Sequence, residues 1–486
     1  MNESSHLLLI LCLLSTIFTS LVSPAQSNYA SPLPYPLYVH YMAPFLSGGG
    51  FSSESVTIAL SLISFWKSAT THLGQAALPN THPTAFPNAF NVTLHLQHHG
   101  DAFNKNYLRF VSKDTFSTLL PHFHVNDAPF YQLAPTEFEK KQNLVVICHS
   151  EPGAWNPPLF DTLECPLDTK SRLGRSYDMV RIGRSMFETD RIPEGWRDRL
   201  NAMDEVWVPT DWQRDIYLRN GVKENKLRIV AEPVDTGFFN PQKYQNVKSP
   251  FDPRMKTFLS IFKWEKRKGW DVLIKAFLEE FKLEDNVQLV LIISKYHDDE
   301  NKSFEEKIDA FIKTYLPEEK WNHAPRILVR QNVPLDMMPL MYMHAQAFVL
   351  PSRGEGFGRP HMEAMCMETP VIATNWSGPV SYLNETNGFP LRVRELVEID
   401  EGAFMGHKWA EPDEAHLREL LRFVFANPSE SQKRGEVARR HMMEKYSLDV
   451  FGRELFNILG EIQDRFWGGA KLGERKSREQ SSHEEL

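Results

Sequence analysis

Ala347-Phe348-Val349-Leu350-Pro351-Ser352-Arg353-Gly354-Glu355-Gly356-Phe357-Gly358-Arg359-Pro360-His361-Met362-Glu363-Ala364-Met365 passes from a short apolar run, through a loop with three glycines, into a helix-forming run with Pro360 near its first position. Proline suits that position because its fixed φ is helical and its missing N–H would have no helical partner there. Glycines let backbone N–H groups approach a ligand closely, and the helix start offers unpaired donors to an anion. Glu355 in the loop and Glu363 on the first helical turns stand beside that start. A carboxylate is a poor phosphate ligand but accepts hydrogen bonds from sugar hydroxyls, so the stretch suits a ligand carrying both groups. The plainer alternative is a strand-turn-helix corner with capping acids.

Strand and helix patterns alternate on both sides of this stretch. Leu37 to Ala43, Val92 to Leu96, Leu144 to Cys148, Met179 to Ile182, Val206 to Val208 and Leu227 to Val230 read as strands, with helical stretches such as Ser52 to Trp66 and Gly195 to Met203 between them. The alternation restarts with strands at Phe258 to Phe262, Val287 to Ile293, Arg326 to Val329, Ala347 to Leu350 and Val371 to Ala373. Asp271 to Phe281, Phe304 to Tyr315 and Pro360 to Met367 read as its helices, and Glu411 to Ile462 as further helices. The pattern predicts an α/β protein of two doubly wound domains, whose ligands bind at the carboxyl ends of the strands in the cleft between them. The Pro-, Asn- and Lys-rich stretch Asn240 to Pro253 is the natural linker. The expected domains are 34–245 and 254–447, followed by a helix over 448–467 and a disordered tail over 468–486.

A chain of 486 residues exceeds one ordinary core, consistent with two domains. A net charge of −8 excludes a general nucleic-acid binder, so any phosphate must be met by a few placed cations. Leu7 to Val22 forms an apolar run with Ser23 and Ala25 beyond it, which predicts a signal peptide over 1–25 or an uncleaved membrane anchor. Sequons at Asn91, Asn301, Asn375 and Asn384 agree with the lumen of the secretory pathway, and with an anchored or secreted glycoprotein. Beyond Cys12 in the apolar run, Cys148, Cys165 and Cys366 allow at most one bridge and one free thiol, without metal-ligand spacing.

On Glu355 and Glu363, two glutamates separated by seven residues, the chain resembles the retaining glycosyltransferases of family 4, which have the GT-B fold. The resemblance implies that Glu363 accepts from the ribose of a nucleotide-sugar donor. It also implies that Glu355 lies against the donor sugar, with the backbone of Gly356, Phe357 and Gly358 against sugar or pyrophosphate. Ser260-Ile261-Phe262-Lys263-Trp264-Glu265-Lys266-Arg267-Lys268-Gly269-Trp270-Asp271 is similar to a second family stretch, with Lys263 in place of an arginine and Lys268-Gly269 five residues on. Lys263 and Lys268 are then the cations that neutralise the departing pyrophosphate. Lysine meets it as a point charge where arginine grips in a bidentate way.

In the first half, Leu46 to Glu54 resembles the family's glycine-rich first loop, which gives Gly49 and Gly50 to the donor phosphates. Asp204 to Thr210 and Val230 to Phe239 fit the end of the first domain and its boundary. Asn332 and Val333, in Arg330 to Pro334, would meet the base. Many family members carry a histidine near the transferred sugar, but the matching stretch Arg184 to Arg191 has none. Glu188 or Asp190 takes a polar role there, or His149 comes into the cleft. The resemblance runs from about Leu37 to Phe466.

The expected activity is glycosyl transfer from a nucleotide sugar to a glycan, lipid or protein acceptor, with retention of anomeric configuration and no further cofactor. No Asp-x-Asp triplet occurs in the sequence, which predicts catalysis without a metal. Two alternatives share the architecture. A nucleotide-sugar epimerase needs acid–base residues around the sugar ring, and no clear pair presents itself. A non-catalytic binder of sugar nucleotides or carbohydrate would be favoured by loss of Glu355 or Lys268, and both are present. A glycoside hydrolase would use the two glutamates without needing the glycines and lysines around them.

Overall fold

Short apolar runs in each half of the chain pair side by side into one parallel sheet. The computed structural model describes residues 37–45, 47, 50–72, 92–99, 113–123, 143–166, 179–295, 303–315, 317, 323–400 and 402–468. In the first half, β1 (Leu37–Ala43), β2 (Val92–His98), β3 (Leu144–His149), β4 (Met179–Arg184), β5 (Glu205–Val208) and β6 (Leu227–Ile229) lie in the order β2-β1-β3-β4-β5-β6. In the second half, β7 (Lys256–Lys263), β8 (Val287–Ser294), β9 (Arg326–Arg330), β10 (Ala347–Leu350), β11 (Val371–Thr374) and β12 (Phe389–Leu391) lie in the order β12-β11-β10-β7-β8-β9.

Helices cross between the strands. They are α1 (Gly50–His72), α2 (Lys113–Leu119), α3 (Trp196–Ala202), α4 (Asp211–Arg219), α5 (Trp270–Glu280), α6 (Phe304–Tyr315), α7 (Met338–Met343) and α8 (Arg359–Cys366). Val287 to Ile293 of β8 are all buried, as a parallel strand covered on both faces requires. The chain order of the strands reverses between β1 and β3 and again between β7 and β10. In such sheets ligands bind at the carboxyl ends of the strands at these reversals. Lys263 ends β7 and the glycine loop follows β10, so the second reversal lies between the two motifs singled out in the sequence.

Past β12 the structure adds an element that the sequence did not suggest, ahead of the expected run of helices. β13 (Val393–Glu398) and β14 (Lys408–Pro412) form an antiparallel hairpin, and the first helix begins only at Glu414, capped by Asp413, which accepts from the His416 N–H. The hairpin is mostly exposed on β13, so it lacks the apolar runs that mark the core strands. β12 has only three residues and contains Pro390, which fits an edge strand and gives little sequence signal. After α9 (Glu414–Ala426) and α10 (Pro428–Lys445), α11 (Leu448–Gln463) returns to the first half and lies on α1. A Cβ at Gly452 would lie 2.5 Å from the Ser61 carbonyl oxygen, so this glycine is what brings the two helix backbones together.

Cys148 and Cys165 form a disulfide, and Cys366 is free and buried. Among the described residues no helix is long and apolar enough to cross a membrane. The apolar run Leu7 to Val22 and the tail beyond 468 lie outside the described residues.

Candidate active site

The turn after β7 and the loop after β10 are built as one unit. Lys266–Lys268 forms a single tight helical turn, ended by Gly269 at φ 65°. A Cβ on Gly269 would fall 1.9 Å from the Pro351 carbonyl oxygen, so only glycine allows the turn to lie against the start of the loop. Arg353, 3% exposed, fastens the two together. Its guanidinium donates to both oxygens of Asp271 (2.8 and 2.9 Å), both oxygens of Glu411 (2.7 and 3.0 Å) and the Lys266 carbonyl (2.6 Å). Its own N–H donates to the Arg267 carbonyl at 2.6 Å.

Within this frame Lys268 donates to both carboxylate oxygens of Glu355 at 2.8 Å. Arg267 donates to the Gly354 carbonyl at 2.7 Å and to Glu265 at 2.8 Å, and its Nη1 lies 3.4 Å from Glu188 and 3.9 Å from Glu355. The Glu355 N–H donates to the buried Ser377 hydroxyl at 2.9 Å. Burial pushes the pKa of Glu355 up, but Lys268 and Arg267 outweigh it and hold the group at about 2. Glu355 is therefore a carboxylate at every working pH.

Phe357 is buried in the second core, and the Tyr382 hydroxyl donates to the Phe357 and Gly358 carbonyls at 2.8 and 3.1 Å. Gly358, at φ 103°, caps the start of α8. Glu363, one turn further on, accepts from the Tyr342 hydroxyl at 2.8 Å. Burial raises its pKa despite the nearby Arg359 guanidinium and the Tyr342 hydrogen bond. Two of the glycines serve a purpose the sequence did not suggest. A Cβ at Gly354 would lie 2.2 Å from the Glu188 carbonyl oxygen, and one at Gly356 would lie 2.2 Å from the Met186 sulfur. Their Cα faces allow close approach of the first half of the chain, rather than of a ligand.

Glu355, Lys268 and Glu188 thus meet around Arg267, with Glu363 on the adjoining helix. Lys263 stands half-buried at the end of β7. Asn332, exposed at φ 52°, and Val333 follow β9 at the sheet edge, two strands away from β7. Gly49 lies outside the described residues and Gly50 opens α1. His149 does not come into the cleft: it is fully buried, its Nε2 paired with Glu54 at 3.0 Å and its Nδ1 with the Tyr41 hydroxyl at 2.6 Å. Asp190 is taken by the second half, accepting from the Lys408 N–H at 2.6 Å. Arg267, Arg353, Tyr342 and Ser377 were not foreseen from the sequence. Only Arg267, inside the basic run beside Lys268, carried a signal there.

A second charged network joins the two halves behind the glycine loop. Glu54, on α1, accepts from Arg184 at 2.8 Å as well as pairing with His149. Arg359, the first residue of α8, donates to the Ser53 hydroxyl at 2.8 Å, the Pro233 carbonyl at 3.2 Å and Glu232 at 3.4 Å. Burial raises the pKa of Glu54, but His149 and Arg184 bring it down to about 2. Glu232, also buried, faces the Glu54 charge, and burial and that charge together push it up to about 8 despite Arg359 and Arg184.

Residues 255–402 match the family model of glycosyl transferases group 1. The chain is 24% identical over 246 residues to sucrose synthase of Melioribacter roseus, covering 49% of this chain and 28% of that protein. It is 24% identical over 297 residues to mannosylfructose-phosphate synthase of Agrobacterium fabrum, covering 58% of this chain and 59% of that protein. It therefore spans 28% and 59% of the length of these two curated relatives. Among solved structures, a glycosyltransferase from Rickettsia africae aligns with a TM-score of 0.56 at 16% identity, over 88% of this chain and 98% of that one. Anabaena HepE in complex with UDP-glucose aligns with a TM-score of 0.54 at 12% identity, over 87% of this chain and 100% of that one. The fold is GT-B, two doubly wound α/β halves, as the sequence led us to expect.

Glu232 makes stability depend on pH in a definite direction. Between the ordinary glutamate value of 4.5 and about 8, the native state holds a proton that the unfolded chain has lost. Stability therefore falls as pH rises through this window, by at most about 1.4 kcal/mol per unit. Glu232→Gln removes that loss, so urea unfolding at pH 5, 6.5 and 8 should show the variant gaining on the parent chain at each step. A constant difference across the series would mean that Glu232 is ionised in the native state.

Proposed function

We propose that the protein is a retaining glycosyltransferase of family 4 that moves a sugar from a nucleotide-sugar donor to a glycan, lipid or protein acceptor. The observation that carries this reading is the Lys268–Glu355 pair, held with the glycine loop and the start of α8 at the carboxyl ends of β7 and β10. The match of residues 255–402 to group 1 glycosyl transferases and the GT-B fold support it. So does the chemistry of the relatives, named as synthases of sucrose and mannosylfructose phosphate.

In this reading the donor diphosphate lies against the start of α8, with Lys263 and Lys268 meeting its charge. Glu363 accepts from the ribose, and Glu355 accepts from hydroxyls of the sugar. Asn332 and Val333 face the base. The acceptor hydroxyl attacks the anomeric carbon on the face from which the nucleotide leaves. The bond to the phosphate oxygen breaks, and that oxygen takes the acceptor's proton. No side-chain base is then required, which accommodates a His149 whose two nitrogens are already paired. Charge on the leaving phosphate is met by the two lysines and the helix start, so a divalent metal is not needed.

The proposal includes a luminal location in the secretory pathway. The apolar run Leu7 to Val22 supports it, as does the Cys148–Cys165 disulfide, a bond that persists in oxidising compartments. Among the described sequon asparagines, Asn375 and Asn384 are both exposed. The protein expressed in its own cell type should move faster on a gel after removal of N-linked glycans. Recovery in the cytosolic fraction, with mobility unchanged, would remove the luminal claim.

The roles of Glu363 and Lys268 separate in kinetics. Glu363→Ala should weaken donor binding by about 1.5–3 kcal/mol, the usual contribution of a hydrogen bond to a charged group. Lys268→Ala should lower turnover by about 10²–10³, with donor affinity changed far less, since the charge it meets is largest as the nucleotide departs. Calorimetry with UDP-glucose alongside steady-state rates distinguishes them, and equal losses in binding and rate for Lys268→Ala would defeat its assignment.

Stereochemistry tests the reaction itself. A transfer run in excess chelator, with the anomeric proton of the product followed by NMR, should proceed and give the donor's configuration. An inverted product would overturn the mechanism. Activity lost to chelator and restored by manganese would overturn metal independence.

A further inference from the structure

The β13–β14 hairpin belongs to the second half of the chain by sequence but fastens onto the first. Where its tip meets residues 187–190, the Asp190 N–H donates to the Lys408 carbonyl at 2.9 Å, and the Lys408 N–H donates to the Asp190 carboxylate at 2.6 Å. The Thr189 hydroxyl and His407 Nδ1 are 2.8 Å apart, and the Phe187 ring meets Phe404 edge-on at 4.9 Å. The base of the same hairpin is joined to the catalytic frame. Glu411, on β14, takes two hydrogen bonds from Arg353, and the Ala410 N–H donates to the Arg353 carbonyl at 3.0 Å. Arg353 in turn holds Asp271 at the start of α5 and the carbonyls around Lys266–Lys268. A continuous run of polar contacts, exposed at Lys408 and half-buried or buried around Arg353, therefore leads from Asp190, through the hairpin and Arg353, to the turn that carries Lys268.

We infer that Arg353 is a positioning residue, and that the β13–β14 hairpin is the strap through which contact between the two halves sets where Lys268 and Glu355 stand. Arg353 touches neither Lys268 nor Glu355 through its side chain. It acts on them through the backbone of residues 266–268 and of the loop it belongs to. Two bidentate pairs fix the guanidinium in one plane, so displacement of Glu411 with the hairpin drags Arg353 or leaves a carboxylate uncompensated. Released at its tip, the hairpin no longer holds Glu411 against Arg353, and the turn and the glycine loop loosen together. The kinetic part of this inference rests on the glycosyltransferase reading; the structural part does not.

The test uses the full chain, with Phe404→Ala/His407→Ala at the hairpin tip and Arg353→Lys at its base. Amide hydrogen exchange without ligand is followed in residues 186–190, 266–269 and 351–358, with β8 as the reference. The tip variant should exchange faster in all three segments, by about tenfold or more in the two distant ones, while β8 is unchanged. With UDP-glucose as donor, both variants should lose about tenfold in kcat with KM within about twofold, the pattern of a displaced transition-state group. Lysine keeps the charge but cannot grip two carboxylates, so Arg353→Lys should fold without recovering the rate. Faster exchange confined to the hairpin and residues 186–190 overturns the inference, as does an unchanged kcat in the tip variant. Should the parent chain not turn over UDP-glucose, that result counts against the donor reading alone, and exchange in 266–269 and 351–358 decides the positioning role.

Discussion

Arg353 meets two carboxylates, each through both oxygens, while almost wholly removed from water. Guanidinium is suited to this because its planar fork of donors serves two carboxylates at once, while a lysine would meet each only as a point charge. The pairs it makes come from three parts of the sequence: the loop after β10, the start of α5 and the second strand of the hairpin. Buried ion pairs contribute little net stability against an apolar alternative, yet removing one partner costs about 3–5 kcal/mol because the other is left uncompensated. What Arg353 provides is therefore register more than stability. It specifies one arrangement of three segments that share no strand pairing with one another across the glycine loop.

That register matters because the cations of the site are paired within the chain itself. Lys268 and Arg267 stand among Glu355, Glu265 and Glu188, so the two cations are met by three carboxylates. In the proposed reading, a donor diphosphate gains Lys268 only in competition with Glu355. Such competition separates ground-state from transition-state binding. An interaction that strengthens as charge moves onto the leaving phosphate lowers the barrier without tightening the donor complex. Arg267, 3.9 Å from Glu355, is a second cation beside that carboxylate.

The fold was legible to within a residue or two wherever a run of apolar side chains is buried on both faces. Val287 to Ile293 is fully buried and announces itself as a parallel strand from composition alone. The hairpin and β12 were not legible, because edge and surface strands carry no such pattern. Glu355, Lys268 and Glu363 could be singled out because the glycines and the spacing shared with the resembled family mark them, and spacing survives in a sequence. Arg353, Tyr342 and Ser377 act across 58, 21 and 22 residues of chain separation on partners that no local pattern names. His149 shows the converse error. A histidine at the end of a strand looks available from the sequence, and only the positions of Tyr41 and Glu54 reveal that both its nitrogens are spoken for.

The glycines also bear on how the halves meet. With Glu188 and Met186 lying where Cβ atoms would be at Gly354 and Gly356, the two halves touch at backbone level and cannot come closer. The other contacts between them mix polar and apolar groups: Gln213 donates to the Gly356 carbonyl at 3.3 Å, Trp212 meets Trp376 edge-on at 4.9 Å, Arg359 reaches Ser53, and α11 packs on α1. Glu188 stands 3.4 Å from Arg267 while its carbonyl lies against Gly354, and the hairpin tip lies on residues 187–190 beside it. The contacts that seat residues 186–188 on the glycine loop thus also place Glu188 beside Arg267, which is why glycine at 354 and 356 bears on the charges around Glu355 through packing alone.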